Sequence, residues 1–463
     1  MLSACKWPLL GDFSKKIGLP VAIIDLESTG GDMYQDRITE IAILRFNKGK
    51  ISRYEWLVNP QKNIPPFITS LTGISNEMVA DAPHFADLVH DLLPLLRGTL
   101  LIAHNSRFDY TFLRHEFQRA GIHFASPALC SVQLSRKLYP QYFKHNLDSI
   151  IERFGIQTES RHRAMTDVTA LADFLEISLK EKGCDEWLKH VHTLTNPHPL
   201  PHLFSEQLAN EIYKLSDSHG VIVWLDAENR AISLSVHKKA FSEVSALLRR
   251  NSYPSEIRNA EKIIFHEALG SLHALQKRVE LQKHYQLPAS QTTQTFFSVE
   301  FAYDEKQRLR AHIRNLENGS YNNPPNGLFL HKKKAKQILS EWAQQQQLCP
   351  DSLGLLPTTY PAGQPCPKIV AGQCNGGCQH QNGIERQNEI ITASGRLLPV
   401  ADWGNAHALE ITETDMLSKR SVTIRCINGT LNLPDGSYYF DSSLPAIVKD
   451  IWKRSKHNIR ILY

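Results

Sequence analysis

The chain has 463 residues, 42% hydrophobic and 21% charged, which excludes a disordered polymer and calls for two or three separate cores. Its net charge of +5 is compatible with a nucleic-acid partner without requiring one. No run reaches 18 apolar residues and the N-terminal stretch holds no sustained apolar segment, so the expectation is a cytoplasmic protein with neither membrane span nor signal peptide.

In chain order, Val21–Glu27, Ile38–Phe46, Tyr54–Val58 and Thr99–Asn105 read as strands from their apolar runs and alternation. Phe85–Leu96, Asp109–Ala120, Leu147–Phe154 and Ala164–Lys182 have helical spacing. Strands and helices that alternate in this way imply an α/β domain, placed at 1–184. The proline-rich 185–204 stretch reads as a linker. A second, small α/β domain is expected over 205–290, ending at a Gln/Ser/Thr-rich joint. Over 291–385 the pattern gives a strand at Phe296–Tyr303, two helix-like stretches and an irregular Cys/Gly/Pro-rich segment. The tail, 386–463, is strand-rich, with runs at Ser421–Ile427, Ser437–Phe440 and Asn458–Leu462.

Chemistry concentrates in three places of the first domain. Asp25 and Glu27 end an apolar strand two residues apart, so both carboxylates project from one face. Like charges about 4 Å apart cost about 4 kcal/mol at an effective dielectric near 20, so such a pair needs a proton or a cation. Taken alone, the two can equally be a solvated strand end before the Ser28-Thr29-Gly30 turn. Asp109 falls in the first turn of a helix, where an acid is common for its own reasons. His162 directly precedes a long helix, and Asp167 lies in its first turns.

Taken together, Asp25–Gly30 (DLESTG), Ala103–Asp109 (AHNSRFD) and His162–Asp167 (HRAMTD) resemble the motifs of the DnaQ-like (DEDDh) 3′–5′ exonucleases, over about residues 18–180. The connecting segments Asp36–Ile43, Asn59-Pro60, Ile64-Pro65, Leu71–Ile74 and Ala82-Pro83 fit as well, and Ser28 departs from the threonine common in the family. The resemblance implies an RNase H-like mixed sheet flanked by helices. It also implies two Mg²⁺ or Mn²⁺ ions held by Asp25, Glu27, Asp109 and Asp167, with His162 as general base on the attacking water. Substrate contacts implied are Ser28, Thr29, Gly30, Leu71, His104, Asn105 and Phe108. The expected substrate is a single-stranded or frayed DNA 3′ end, and a DNA polymerase or repair complex is the implied partner.

The second half resembles the region that follows the GIY-YIG nuclease domain of UvrC and Cho, through Gly327–Trp342, Leu348–Leu355 and Cys366–Cys378. The 205–290 segment is then the GIY-YIG domain, with its chemistry gone. Ile222 stands where the first tyrosine belongs, Ser233-Leu234-Ser235 where the second does, Phe241 near the arginine and Gln276 near the glutamate. Cys349, Cys366, Cys374 and Cys378 crowd into thirty residues and suit a [4Fe–4S] cluster, Zn²⁺ or no metal at all, with His380 as a substitute ligand. Lys332, Lys333 and Lys336 can share a helix face and meet phosphates, or form a solvated charged face. The leading expectation is a DNA exonuclease with an inactive UvrC-like grip. A dual exo/endonuclease, a DNA-binding scaffold and an RNA-directed exonuclease are the alternatives.

Overall fold

A computed structural model describes residues 6–158, 162–195, 206–249, 255–289, 294–356, 366–372, 376 and 380–462. The chain forms two compact units, residues 1–267 with 415–419, and residues 268–414 with 420–463.

In the first unit, α1 (Pro8–Ile17) leads to β1 (Val21–Ser28), β2 (Ile38–Asn47) and β3 (Lys50–Leu57). Two short helices follow, α2 (Pro66–Thr72) and α3 (Asn76–Val79), then α4 (Phe85–Leu96), β4 (Leu100–Ala103), α5 (Arg107–Arg119) and β5 (Ala128–Cys130). The run closes with α6 (Ser131–Leu138), α7 (Leu147–Phe154), α8 (Ala164–Lys182) and α9 (Cys184–Leu194). The five strands form one sheet in the order β3-β2-β1-β4-β5. β1 is antiparallel to β2 and parallel to β4. It is the central strand, and Val21 to Ile24 are buried because helices cover both faces, which is why that stretch is a continuous apolar run and not an alternation. One face packs Val21, Ile23, Ala42 and Leu44 against Phe13, Val168 and Phe174; the other packs Ile24, Leu26 and Ile43 against Leu92, Phe112 and Phe117. This is the mixed, helix-flanked α/β sheet expected from the sequence.

The same unit continues through α10 (Glu206–Tyr213), β6 (Gly220–Leu225), β7 (Ala231–His237), α11 (Ala240–Arg249) and β8 (Lys262–Glu267), with an antiparallel sheet in the order β7-β6-β8. Its core of Leu208, Ile212, Trp224, Phe241 and Val244 takes in Ala125 of the larger sheet domain. Arg114 of α5 donates to the Asp217 carbonyl at 2.9 Å. The small sheet is therefore packed onto α5 rather than tethered to it.

The second unit holds α12 (Ser271–His284), β9 (Phe296–Tyr303), β10 (Leu309–Leu316), β11 (Gly319–Tyr321), β12 (Asn326–Phe329), α13 (Lys332–Gln345), α14 (Pro367–Val370) and α15 (Gln381–Ser394). Then come β13 (Ala408–Thr414), β14 (Ser421–Ile427), β15 (Thr430–Asn432), β16 (Tyr438–Phe440), α16 (Leu444–Arg454) and β17 (Ile459–Leu462). They build a three-stranded sheet, β10-β9-β12, and a six-stranded one, β11-β16-β15-β14-β13-β17. Leu272, Leu275 and Val279 of α12 join the core of the six-stranded sheet, so the unit boundary at Glu267 falls inside the 205–290 segment. One expectation is corrected. Two helix-like stretches are expected between Tyr303 and the Cys-rich segment; the described residues there form one helix, α13, and Leu309–Leu316 is a strand paired along its full length with β9. Apolar residues at 309, 313 and 316 mimic a helical face, and a short run of that kind cannot be told from a strand by periodicity. The turn decides it. Asp304 accepts from the amides of Lys306 and Arg308 and Gln307 takes a left-handed φ of 60°, a hairpin geometry.

Candidate active site

The site is built at the end of β1. Asp25 and Glu27 are half-buried and project to the face that α8 covers. α8 packs across β1 and β2 and brings Asp167, 8% exposed, to the same place. One carboxylate oxygen from each of Asp25, Glu27 and Asp167 lies within 4.8 Å of the others. Among the described residues, no other group of three or more His, Cys, Asp or Glu side chains converges this closely.

Asp109 comes from α5 and is 3% exposed. Burial pushes its carboxyl up to about 7, although backbone donors of Asp109 and of Leu26, the residue between the two β1 acids, act in the opposite direction. Burial here disfavours the charged carboxylate, and a nearby cation would favour it. Hard oxygen donors crowded in this way fit a hard divalent cation, and the residues present suit such an ion.

His162 is half-buried and takes a φ of 61°, a left-handed conformation uncommon for a side chain with a Cβ. It stands two residues before α8. The next residue, Arg163, binds Glu40 through Nη2 at 2.6 Å and Nε at 3.0 Å, and the second Glu40 oxygen accepts from the Ala164 amide at 2.8 Å. Glu40 is fully buried. Sequence reasoning passed over it, yet the signal was there: an acid inside the apolar strand Ile38–Phe46 has to be paired.

A second brace holds the turn after β1. Thr29 donates its hydroxyl to Asp36 at 3.0 Å, accepts from the Arg37 amide at 3.1 Å, and its own amide donates to the Arg37 carbonyl. Asp36 also accepts from the Asp32 amide and from Lys62. Burial favours the neutral form of Asp36, but the Lys62, Asp32 and Thr29 donors outweigh it and hold its carboxyl below the ordinary range.

A model of the RNase T-type exonuclease family matches residues 22–175. The DNA polymerase III epsilon subunit of Aquifex aeolicus is 32% identical over 170 residues, 36% of this chain and 82% of its own length. The chain belongs to the DnaQ-like exonuclease family.

The DnaQ-like region is also 34% identical over 175 residues to the PolC-type DNA polymerase III of Caldanaerobacter subterraneus, 38% of this chain and 12% of that protein. The chain thus spans about an eighth of the first curated relatives it matches. A solved structure of exonuclease X with 5′-overhanging duplex DNA aligns at 24% identity and a TM-score of 0.31, covering 37% of this chain and 99% of that one. Residues 298–394 match a second model, the middle domain of the UvrC/Cho excinucleases.

Around the DnaQ-like site, the other anticipated residues take different positions. Ser28 donates to the Gly30 carbonyl at 2.7 Å and Thr29 is 1% exposed, so both hydroxyls serve the turn itself. Gly30 presses on Asp36: a Cβ there would lie 2.4 Å from Oδ2. Leu71 on α2 is 51% exposed, four residues after the still more exposed Phe67, so the two share an open face. His104 bonds the Ser131 hydroxyl through Nδ1 at 2.9 Å. Asn105 is exposed with a left-handed φ of 71°. Phe108 packs on Phe112 at 4.7 Å, against the core beneath α5.

In the 205–290 segment, Ile222 of β6 and Ser235 of β7 are direct ladder partners. Ser235 accepts from the Trp224 indole at 2.8 Å and bonds His237 Nε2 at 2.8 Å, while Phe241 is in the core. Gln276 lies on α12 in the second unit and donates to Glu280. Cys349 and Cys366 are buried thiols; Cys374 and Cys378 lie outside the described residues. Lys332, Lys333 and Lys336 are exposed at the start of α13, where Ala335 and Leu339 face the core. No helix among the described residues is long and apolar enough to cross a membrane.

Proposed function

We propose that the chain is a divalent-metal-dependent 3′–5′ exonuclease that acts on DNA and releases nucleoside 5′-monophosphates. The observation that carries this reading is the convergence of Asp25, Glu27 and Asp167 within 4.8 Å, backed by the buried Asp109. These four carboxylates would hold two Mg²⁺ or Mn²⁺ ions. When bound, such ions polarise the scissile phosphate and offset the charge that develops on the leaving 3′ oxygen. His162 accepts the proton of the attacking water, a task that suits an imidazole, whose unperturbed pKa is about 6.5. The braced Thr29-Gly30 turn lets a sugar or phosphate approach the backbone. Exposed Leu71 meets the terminal base. A duplex end must unpair to reach such a site, at a cost of a few kcal/mol that is least at a mismatch, so single-stranded and mispaired ends are preferred.

The UvrC-like module, through Lys332, Lys333 and Lys336, grips DNA phosphates and performs no strand cutting of its own, since the residues at the GIY-YIG positions are Ile222, Ser235, Phe241 and Gln276. Cys349, Cys366, Cys374 and Cys378 hold a [4Fe–4S] cluster or Zn²⁺. The protein works in proofreading or repair, alongside a polymerase or repair complex.

The deciding experiment incubates 5′-labelled single-stranded DNA, RNA, matched duplex and mismatched duplex with Mg²⁺, Mn²⁺ or EDTA, using wild type, His162→Ala and Asp25→Ala. The expected result is metal-dependent stepwise shortening of DNA, fastest on unpaired ends and lost in both variants. No His162-dependent shortening of any substrate overturns the reading; faster shortening of RNA moves the activity to RNA. Metal-dependent nicking of circular duplex DNA by a protein carrying both His162→Ala and Asp25→Ala would restore the endonuclease. Metal analysis of anaerobically purified protein, finding neither iron nor zinc, removes the cysteine cluster.

A further inference from the structure

Glu40 stands directly across the β1–β2 ladder from Glu27. Opposed residues of an antiparallel pair project to one face with their Cβ atoms roughly 4.5–5.5 Å apart, so a further carboxylate adjoins the metal-binding acids. Left unpaired, it would compete with Glu27 for a cation and repel it in the meantime. Instead its oxygens are turned to the start of α8, one to the Arg163 guanidinium at 2.6 and 3.0 Å, the other to the Ala164 amide at 2.8 Å. Glu40, 1% exposed at its side chain, is thereby outside the group whose oxygens converge. The same bonds fix the backbone on which His162 and Asp167 ride: His162 is the residue before Arg163, and the Asp167 amide donates to the Arg163 carbonyl at 3.1 Å.

We propose that Glu40 and Arg163 form a positioning latch for the reaction. It sets His162 and Asp167 against the β1 carboxylates, and its internal neutralisation keeps Glu40 from drawing a cation away from Glu27. The proposal rests on the exonuclease reading above. In the latch, Arg163 acts through Glu40 and through the backbone that carries His162 and Asp167. Lysine supplies the charge without the planar fork, so Arg163→Lys restores the neutralisation but only part of the alignment.

The test uses the full chain with Arg163→Met and Arg163→Lys. Three quantities are measured: kcat and KM on single-stranded DNA, Mn²⁺ affinity of the substrate-free protein by titration, and thermal melting. For Arg163→Met, kcat is expected to fall about 10- to 100-fold, the scale on which small misplacements of reacting groups act, with KM little changed. Mn²⁺ affinity should change far less than kcat, because the loss of a cation beside Glu27 offsets the looser placement of Asp167. Arg163→Lys should fall between the two. A merely structural pair would lose kcat and Mn²⁺ affinity together, in step with the unfolded fraction, and recover both on cooling; that outcome overturns the latch. So does a kcat within twofold of wild type. If Arg163→Met melts below the assay temperature, Arg163→Lys decides by the same comparison at unchanged melting. Inactive wild type would instead remove the exonuclease reading itself.

Discussion

Arg37 and Glu116 form a two-bond ion pair, Nε to Oε1 at 2.6 Å and Nη2 to Oε2 at 3.0 Å, that ties the loop after β1 to the helix carrying Asp109. Glu116 has 1% of its side chain exposed and a second cation, Arg119, at 3.1 Å. Removing one partner of a buried pair costs roughly 3–5 kcal/mol when the other charge is stranded. With Arg119 still in place, Arg37→Met should cost about 2 kcal/mol, read as a lower urea midpoint. KM for a DNA end should rise as well, because the Arg37 backbone holds Thr29. Arg53→Met is the control, since the Arg53–Glu55 pair is exposed and such pairs contribute little.

Gly30→Ala tests the turn directly. Its Cβ would meet Asp36 Oδ2 at 2.4 Å, and Asp36 is pinned by Thr29, the Asp32 amide and Lys62. The backbone has to move, at a cost of about 1–3 kcal/mol, as for other overpacked sites. In a double-mutant cycle with Asp36→Ala, the two penalties should fall short of additivity by about 1 kcal/mol. Strict additivity would show that the turn accommodates the methyl elsewhere.

The sequence carried the pieces that are local or that alternate regularly. The central strand, the helix at Phe85–Leu96, the long helix before Gly183 and the strand Phe296–Tyr303 follow from apolar runs and spacing, and the structure forms each of them. Asp25 and Glu27 share a face by strand geometry alone. Glu40 needed more. Its part depends on cross-strand register with Glu27 and on a guanidinium 123 residues away, neither of which periodicity reports. The fusion of the small sheet to α5 through Ala125 and the Asp217 carbonyl was illegible for the same reason: a proline-rich stretch marks a break in chain composition, not a break in packing. At Leu309–Leu316 the apolar spacing fits two periods, and only the pairing with β9 selects one.

A metal response is expected without any substrate. Three acids within 4.8 Å repel one another, so a ligand that binds the folded state alone stabilises it, by about 2.7 kcal/mol at a hundredfold excess over its Kd. Mn²⁺ or Mg²⁺ should therefore raise the melting temperature of the first unit, and EDTA should reverse the rise. Asp25→Asn and Asp167→Asn should each remove most of that gain. An unchanged Mn²⁺ shift in Asp167→Asn would take that residue out of the ligand set.

The second unit should show its own acid sensitivity through Arg278 and Asp441, which are bonded and both buried. Burial opposes the charge on Asp441, but the Arg278 guanidinium, with the hydroxyl and amide of Ser443, outweighs it and leaves the carboxyl below its ordinary range. A lowered native pKa makes the unfolded chain the better proton acceptor. The pair's contribution is therefore present in full above the unfolded value of about 3.9 and lost as pH falls through the lower native value. In Asp441→Asn that loss cannot occur, so the stability of this unit should depend less on pH below about 4. At pH 7 the same substitution should be destabilising, because Arg278 keeps its charge in a buried place without the carboxylate. Urea midpoints for both proteins at pH 3, 4 and 7 check both statements, and parallel pH profiles would show that Arg278 and Asp441 are not coupled to folding.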